Sequence, residues 1–187
     1  MNAQGPTFSC LLLPRPIWEQ IAAQAVRDWP RECLGMLVGL PDGRVRDAYP
    51  IRNAAANPHR FLSEPYSLFA AEKRRRQQGW HLLGFYHSHP GGHPVPSHID
   101  TNPDVNFWLD GSVVSLIVAV RPATEPCAPL LQDMACTPTA AQCAPISLPE
   151  PTAGVGLTSR IANHFLEARA YRLYPHRWEA VPLQFDE

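Results

Sequence analysis

Up to about residue 120 the chain alternates apolar runs with polar breaks, and the spacing inside each run predicts its element. Thr7 to Leu13 reads as a strand. Pro14 and Pro16 follow, and proline suits the first turn of a helix. Ile17, Ile21, Ala22, Ala25 and Trp29 then recur at helical spacing until Pro30 stops the run. Cys33 to Leu40 is short and wholly apolar, and Pro41-Asp42-Gly43 turns it back into a second strand, Val45 to Ile51. Arg60 to Leu62 is a brief extended piece. Pro65 to Gln78 has a helical pattern with Leu68 and Ala71 on one side and a basic run on the other, and Gly79 fits its C-cap.

His81 to His87 is the next strand, followed by a proline-rich polar loop from Ser88 to Ser97. Ser97 is placed to cap a helix reaching about Leu109, although Pro103 falls inside it. Val113 to Val120 is the most apolar run and reads as a central strand buried on both faces. Beyond it the periodicity fades. Gly154 to Leu166 is compatible with a helix, and Ala170 to Phe185 with a closing hairpin. Strands interleaved with helices predict an α/β or α+β domain around a mixed sheet.

Composition narrows the function classes. The 187 residues carry 16 basic and 17 acidic side chains, which argues against general electrostatic binding to nucleic acid or an anionic membrane. The basic run Lys73-Arg74-Arg75-Arg76 therefore reads as a solvated helix face. No stretch reaches the ~18 apolar residues of a membrane-spanning helix. No signal peptide is legible, so a cytoplasmic location is expected. The five cysteines form no CxxC pair and read as reduced thiols there. Prolines number 21, about twice the usual ~5%. Pro90, Pro94 and Pro96 stiffen the loop after His89, and seven more lie between Pro122 and Pro151, together with Cys127, Cys136 and Cys143. Those three cysteines read most simply as free thiols. The alternatives are a second zinc site, a disulfide outside a reducing compartment, or a thiolate that covers the active site.

The chemistry concentrates in HSHPGGHPVPSHID. His87 and His89 stand at i and i+2 of an extended chain, so their rings point the same way. The Gly- and Pro-rich loop then turns back to deliver Asp100. Two histidines and one carboxylate are three ligands, and a tetrahedral Zn²⁺ so held keeps a fourth position for water, the pattern of a catalytic site. Zinc lowers the pKa of that water and polarises a carbonyl. Glu32, at the mouth of the Cys33–Leu40 strand, is the candidate base, and Ser97 the candidate donor to a developing oxyanion. The other histidines, among them His93 and His98, receive no role, and Asp104 is assigned to the following helix.

Glu32, then HSHP, then seven residues, then Ser97-His98-Ile99-Asp100, resembles the JAMM motif of MPN-domain (Mov34/PAD-1-like) zinc metallopeptidases. ECLGMLVG, RNAAANPHRFLSEP, GFYHSHP and the closing RAYRLYPHRWEAVPL resemble the same family, in its prokaryotic stand-alone form. The resemblance implies a single MPN domain over 1–187, a mixed sheet flanked by helices, with 121–167 as a proline-rich insertion before the closing strands. It implies one zinc ion on His87, His89 and Asp100, with Glu32 and Ser97 catalytic. The implied reaction is hydrolysis of a peptide or isopeptide bond at the C-terminal Gly-Gly tail of a ubiquitin-like or sulfur-carrier protein. A non-catalytic MPN scaffold, and a hydrolase of a small amino-acid adduct on a sulfur carrier, are the alternatives. A homodimer is compatible with the sequence.

Overall fold

The computed structural model describes residues 8–55, 60–123 and 156–186. Its elements in chain order are β1 (Leu11–Pro14), α1 (Arg15–Asp28), β2 (Leu34–Gly39), β3 (Val45–Ile51), α2 (Pro65–Gln78), β4 (His81–Pro90), β5 (Val114–Pro122), β6 (Leu157–Ile161), β7 (His164–Tyr174), β8 (Arg177–Val181) and β9 (Leu183–Asp186). A seven-stranded sheet runs β3-β2-β4-β5-β7-β6, with β8 continuing along the same edge of β7 as β6. Only β4 and β5 are parallel within it. The sheet is therefore mixed and flanked by helices, as expected. A separate parallel pair joins β1 to β9.

The β2–β3 hairpin, both helices and the central strand sit where the apolar pattern places them. Arg75 and Arg76 of α2 pair with Glu72 of the same helix, and Arg74 with Asp47 of β3. Gly79 ends α2 in the left-handed region at φ +69°, its N–H reaching back to the carbonyls of Arg75 and Arg76.

Each face of the sheet has its own core. Trp18, Ile21, Ala22 and Ala25 of α1 pack on one face against Leu37, Leu83, Leu116 and Val118. On the other face, Leu68 and Ala71 of α2 cover Met36, Tyr49 and Phe85, and Leu109 and Trp178 cover Ile117, Tyr171 and Leu173. Period-two alternation divides β4 between them. Tyr86 points toward α1, where its hydroxyl donates to Gln24 Oε1 at 2.6 Å. Its ring fills the space over Gly35 so closely that a Cβ there would meet it at 2.2 Å. Phe85, His87 and His89 consequently share the opposite face.

Two expected helices are absent. After Ser97 the chain makes successive turns instead of a helix. Pro103 has no N–H to continue one, and Asn102 and Asn106 accept from the backbone N–H groups of Asp104 and Trp108, both at 2.9 Å, in competition with helical bonds. In 154–166, residues 154 and 155 lie outside the described residues, and the rest folds as the β6–β7 hairpin. Leu166, Ala168 and Ala170 are buried at period two, a strand pattern that two turn residues, Ala162 and Asn163, kept out of register with the Leu157–Ile161 run. The expected closing hairpin divides: β8 pairs β7, while β9 crosses to β1. Of 121–167, residues 124–155, with Cys127, Cys136 and Cys143, lie outside the described residues; the remainder forms the end of β5 and this hairpin. Among the described residues, no helix is long and apolar enough to cross a membrane.

Candidate metal centre

Three elements converge at the open end of β4. His87 and His89 extend from that strand on one face, and the turn at Ser97–Thr101 brings Asp100 over them. One ligand atom from each lies within 4.8 Å of the others. His87 Nε2 is 3.0 Å from His89 Nε2 and 3.2 Å from Asp100 Oδ1, and His89 Nε2 is 3.6 Å from Asp100 Oδ2. Two imidazole nitrogens that close present both lone pairs inward only if a cation, a proton or a metal ion, lies between them. The donor set of two imidazoles and a carboxylate fits zinc.

The surroundings orient each group. His89 Nδ1 is 3.0 Å from the carbonyl of His93. A proton on Nδ1 donates to that carbonyl and leaves the Nε2 lone pair facing the site. His93 thus contributes its backbone, while its ring is exposed. Ser97 donates from both its N–H and its hydroxyl to Asp100 Oδ2, each at 2.7 Å, which leaves Oδ1 on the side of His87. Burial alone would push the Asp100 carboxyl up. The His87 charge and the hydrogen bonds from His87, His89 and Ser97 outweigh it and hold the group far below the usual carboxylate range. Asp104 is exposed and stands apart from the cluster.

Glu32 arrives from the neighbouring strand. It precedes β2, whose Leu34 pairs with His87. Its residue is 9% exposed, and burial, reinforced by Asp100 and opposed by His89, pushes its carboxyl up to about 7. Two residues that the motif reading passed over fix its position. The N–H of Cys33 donates to Ser88 Oγ at 2.9 Å and the N–H of Ser88 to the Cys33 carbonyl at 3.0 Å, so the residue between the two histidines clamps the residue after Glu32. Asn53 Nδ2 donates to the Glu32 carbonyl at 2.9 Å. Tyr171 adds a third anchor: its hydroxyl donates to the Pro94 carbonyl at 2.7 Å and secures the loop between His89 and Ser97. The side of Ser88 opposite its histidine neighbours was legible from strand alternation; the partners of Asn53 and Tyr171, distant in sequence, were not.

Two clefts border the strands that carry these residues. One, of about 490 Å³, runs between α2 and the 106–113 segment over Leu34, Met36, Phe85 and Trp108 and ends at His87 and Asp100. The other, of about 410 Å³, lies between α1 and the end of β3, is lined by Gln24, Asp28, Glu32, Ile51 and Arg52 among others, and reaches none of His87, His89 and Asp100.

A family model for prokaryotic homologs of the JAB domain, Prok-JAB, matches residues 14–128. The chain belongs to the Prok-JAB family. It is a JAMM-type protein with the MPN fold, and a hydrolase of the metalloprotease kind. A Thermus thermophilus protein named "Probable TtuB-protein conjugate cleaving protease" is 33% identical to this Prok-JAB chain over 108 residues, 54% of the chain and 72% of the relative. A Haloferax volcanii protein named "Desampylase" is 38% identical over 78 residues, 41% of the chain and 56% of the relative. The fold also resembles the solution structure of a Desulfitobacterium hafniense protein, with a TM-score of 0.64 at 20% identity, covering 95% of this chain and 93% of the other.

Proposed function

We infer that this Prok-JAB protein hydrolyses the bond that joins the C-terminal Gly-Gly tail of a ubiquitin-like or sulfur-carrier protein to an amine. The observation that carries this reading is the donor set His87, His89 and Asp100 with a buried, weakly acidic Glu32 beside it. The relatives named for cleavage of protein conjugates support the substrate class.

His87, His89 and Asp100 would hold one zinc ion, which when bound makes water acidic enough to attack near neutral pH and polarises the scissile carbonyl. Glu32 takes one proton from the attacking water, a transfer suited to a carboxyl with a pKa near 7. The water oxygen bonds to the carbonyl carbon and the C–N bond breaks. Glu32 then returns the proton to the departing nitrogen, so the products are a free carboxyl tail and an amine. Ser97 is assigned the oxyanion. When its hydroxyl turns from Asp100, its backbone N–H still holds that carboxylate at 2.7 Å.

A protein substrate fits the rim of the apolar cleft. Phe61 and Trp108, which line it, are 39% and 46% exposed, and the sequence neighbours of its lining residues include the exposed Phe69 and Phe107. Apolar side chains concentrated at the mouth of one cleft mark an interaction surface.

The test combines metal analysis with cleavage of a ubiquitin-like protein extended beyond its Gly-Gly tail. The expected result is one zinc per chain, lost on His87→Ala or Asp100→Ala, and cleavage that disappears in Glu32→Ala with zinc retained. Zinc-loaded protein that cleaves no such fusion, and behaves as Glu32→Ala does, overturns the reading.

A further inference from the structure

Phe61 is a large apolar side chain that belongs to none of the three hydrophobic cores of the described residues. Its ring lies against that of His87, with the centroids 4.9 Å apart and the planes inclined by 38°. The backbone on both flanks of Phe61 is pinned. Asn53 Nδ2 donates to the Arg60 carbonyl, and the N–H of Leu62 donates to Asn53 Oδ1, both at 3.1 Å. The N–H of Ala54 donates to the Leu62 carbonyl at 2.8 Å, and that of Glu64 to the Arg52 carbonyl at 3.0 Å. A phenyl ring gains most from full burial, yet these bonds hold this one half-exposed at the metal end of the apolar cleft. The Asn53 amide also donates to the Glu32 carbonyl, so Phe61 and the proposed base share one anchor.

The opposite wall of the cleft is tied to the site in the same way. Asn106 Nδ2 donates to the Asp100 carbonyl at 2.7 Å, and Asn106 Oδ1 accepts from the N–H of Trp108 at 2.9 Å. The ring of Trp108 lies 5.5 Å from that of Phe85. Phe85 and His87 are neighbours on one face of β4. The two aromatic walls therefore stand at successive places along the cleft, Phe61 at the metal end and Trp108 further from it.

On the function proposed above, on which this inference rests, the acyl tail reaches His87 and Asp100 along this cleft. The rings of Phe61 and His87 are in contact, so nothing passes between them. The residue that carries the scissile carbonyl must run past the edge of Phe61, in the gap toward Asp100 and Trp108. We propose that Phe61 is a specificity-determining residue of the acyl site: its ring excludes a side chain on the residue that carries the scissile carbonyl and so restricts cleavage to tails ending in glycine. The pinned backbone keeps the ring from withdrawing before a methyl group, which a hydrogen at the same place does not meet.

The experiment uses zinc-loaded protein and a ubiquitin-like protein whose tail ends in Gly-Gly or in Gly-Ala, each extended by the same peptide. The expected kcat/KM is at least about tenfold higher for Gly-Gly. In Phe61→Ala the ratio falls toward one because the Gly-Ala tail gains rate, and Phe61→Leu lies between. Trp108→Ala, which opens the cleft further from the metal, leaves the ratio at its original value whatever it does to the two rates. Each ratio is taken within one protein, so a change in the amount of folded enzyme does not alter it, and a merely structural role of the ring lowers both rates together. Equal rates on the two tails in the unaltered protein overturn the filter and leave the proposed function standing. A ratio unchanged in both Phe61 variants, an equal relaxation in Trp108→Ala, or loss of all cleavage in both Phe61 variants also overturns it. If the unaltered protein cleaves neither tail, the proposed function falls, and the filter with it.

Discussion

Glu32 is a carboxyl whose folded environment favours its neutral form. Its pKa stands near 7, against about 4.5 in the unfolded chain, because burial penalises the charge. The folded protein therefore binds this proton more tightly than the unfolded one does. Its contribution is neutral below pH 4.5, and stability declines as pH rises from there to about 7, with the full penalty present above. Glu32→Gln removes the penalty. In metal-free protein the substitution is expected to raise unfolding free energy by up to about 3 kcal/mol at pH 8 and to leave it unchanged at pH 4. Urea titrations at the two pH values check this, and a gain of equal size at both would show that the effect is not ionisation. Asp100 behaves oppositely. Its carboxyl is held far below the ordinary range by His87, His89 and Ser97, so it stays charged across the same interval.

At the scale of elements, the site depends on the antiparallel pairing of β2 with β4. This brings the start of one strand beside the end of the other, and Ser88 closes the junction with two hydrogen bonds to Cys33. Ser88→Ala leaves the buried Cys33 N–H without its acceptor and is expected to cost about 1–3 kcal/mol. Glu32 then loses its fixed position, so kcat falls well below the melting range while zinc stoichiometry and KM hold. A fall in KM-limited binding alone, with kcat intact, would contradict this positioning role. Much of this junction was legible in the amino-acid order. Spacing by two placed both histidine rings on one face, and the apolar run after Glu32 made it a strand mouth. The failures share one cause. The turns after Ser97 and the β6–β7 hairpin depend on side chains of Asn102 and Asn106, and on two turn residues that interrupt a period-two pattern, and local helical spacing outweighed these signals. The anchors Asn53 and Tyr171 act across long sequence separations, which no local pattern reports.

The whole molecule is a sheet with a helix on each face and the His87, His89 and Asp100 cluster at one end of its central strands, where an apolar cleft ends. Outside the main sheet, β1 pairs in parallel with β9, burying Leu11, Leu13 and Leu183 almost completely. Leu183→Ala is expected to cost about 2–5 kcal/mol, read as a lower denaturant midpoint, with kcat unchanged at temperatures where the protein stays folded. The same pairing orders events in time. Loop closure over nearly the full chain is entropically the most demanding contact, and on the ribosome β9 emerges after every other described strand. A nascent chain can assemble the end that carries His87, His89 and Asp100 from β2, β4 and β5 while Leu11 and Leu13 still wait for their partner. Until synthesis reaches Leu183, the earliest strand made is an open apolar edge, and this is the interval in which a chaperone or a neighbouring nascent chain competes for it.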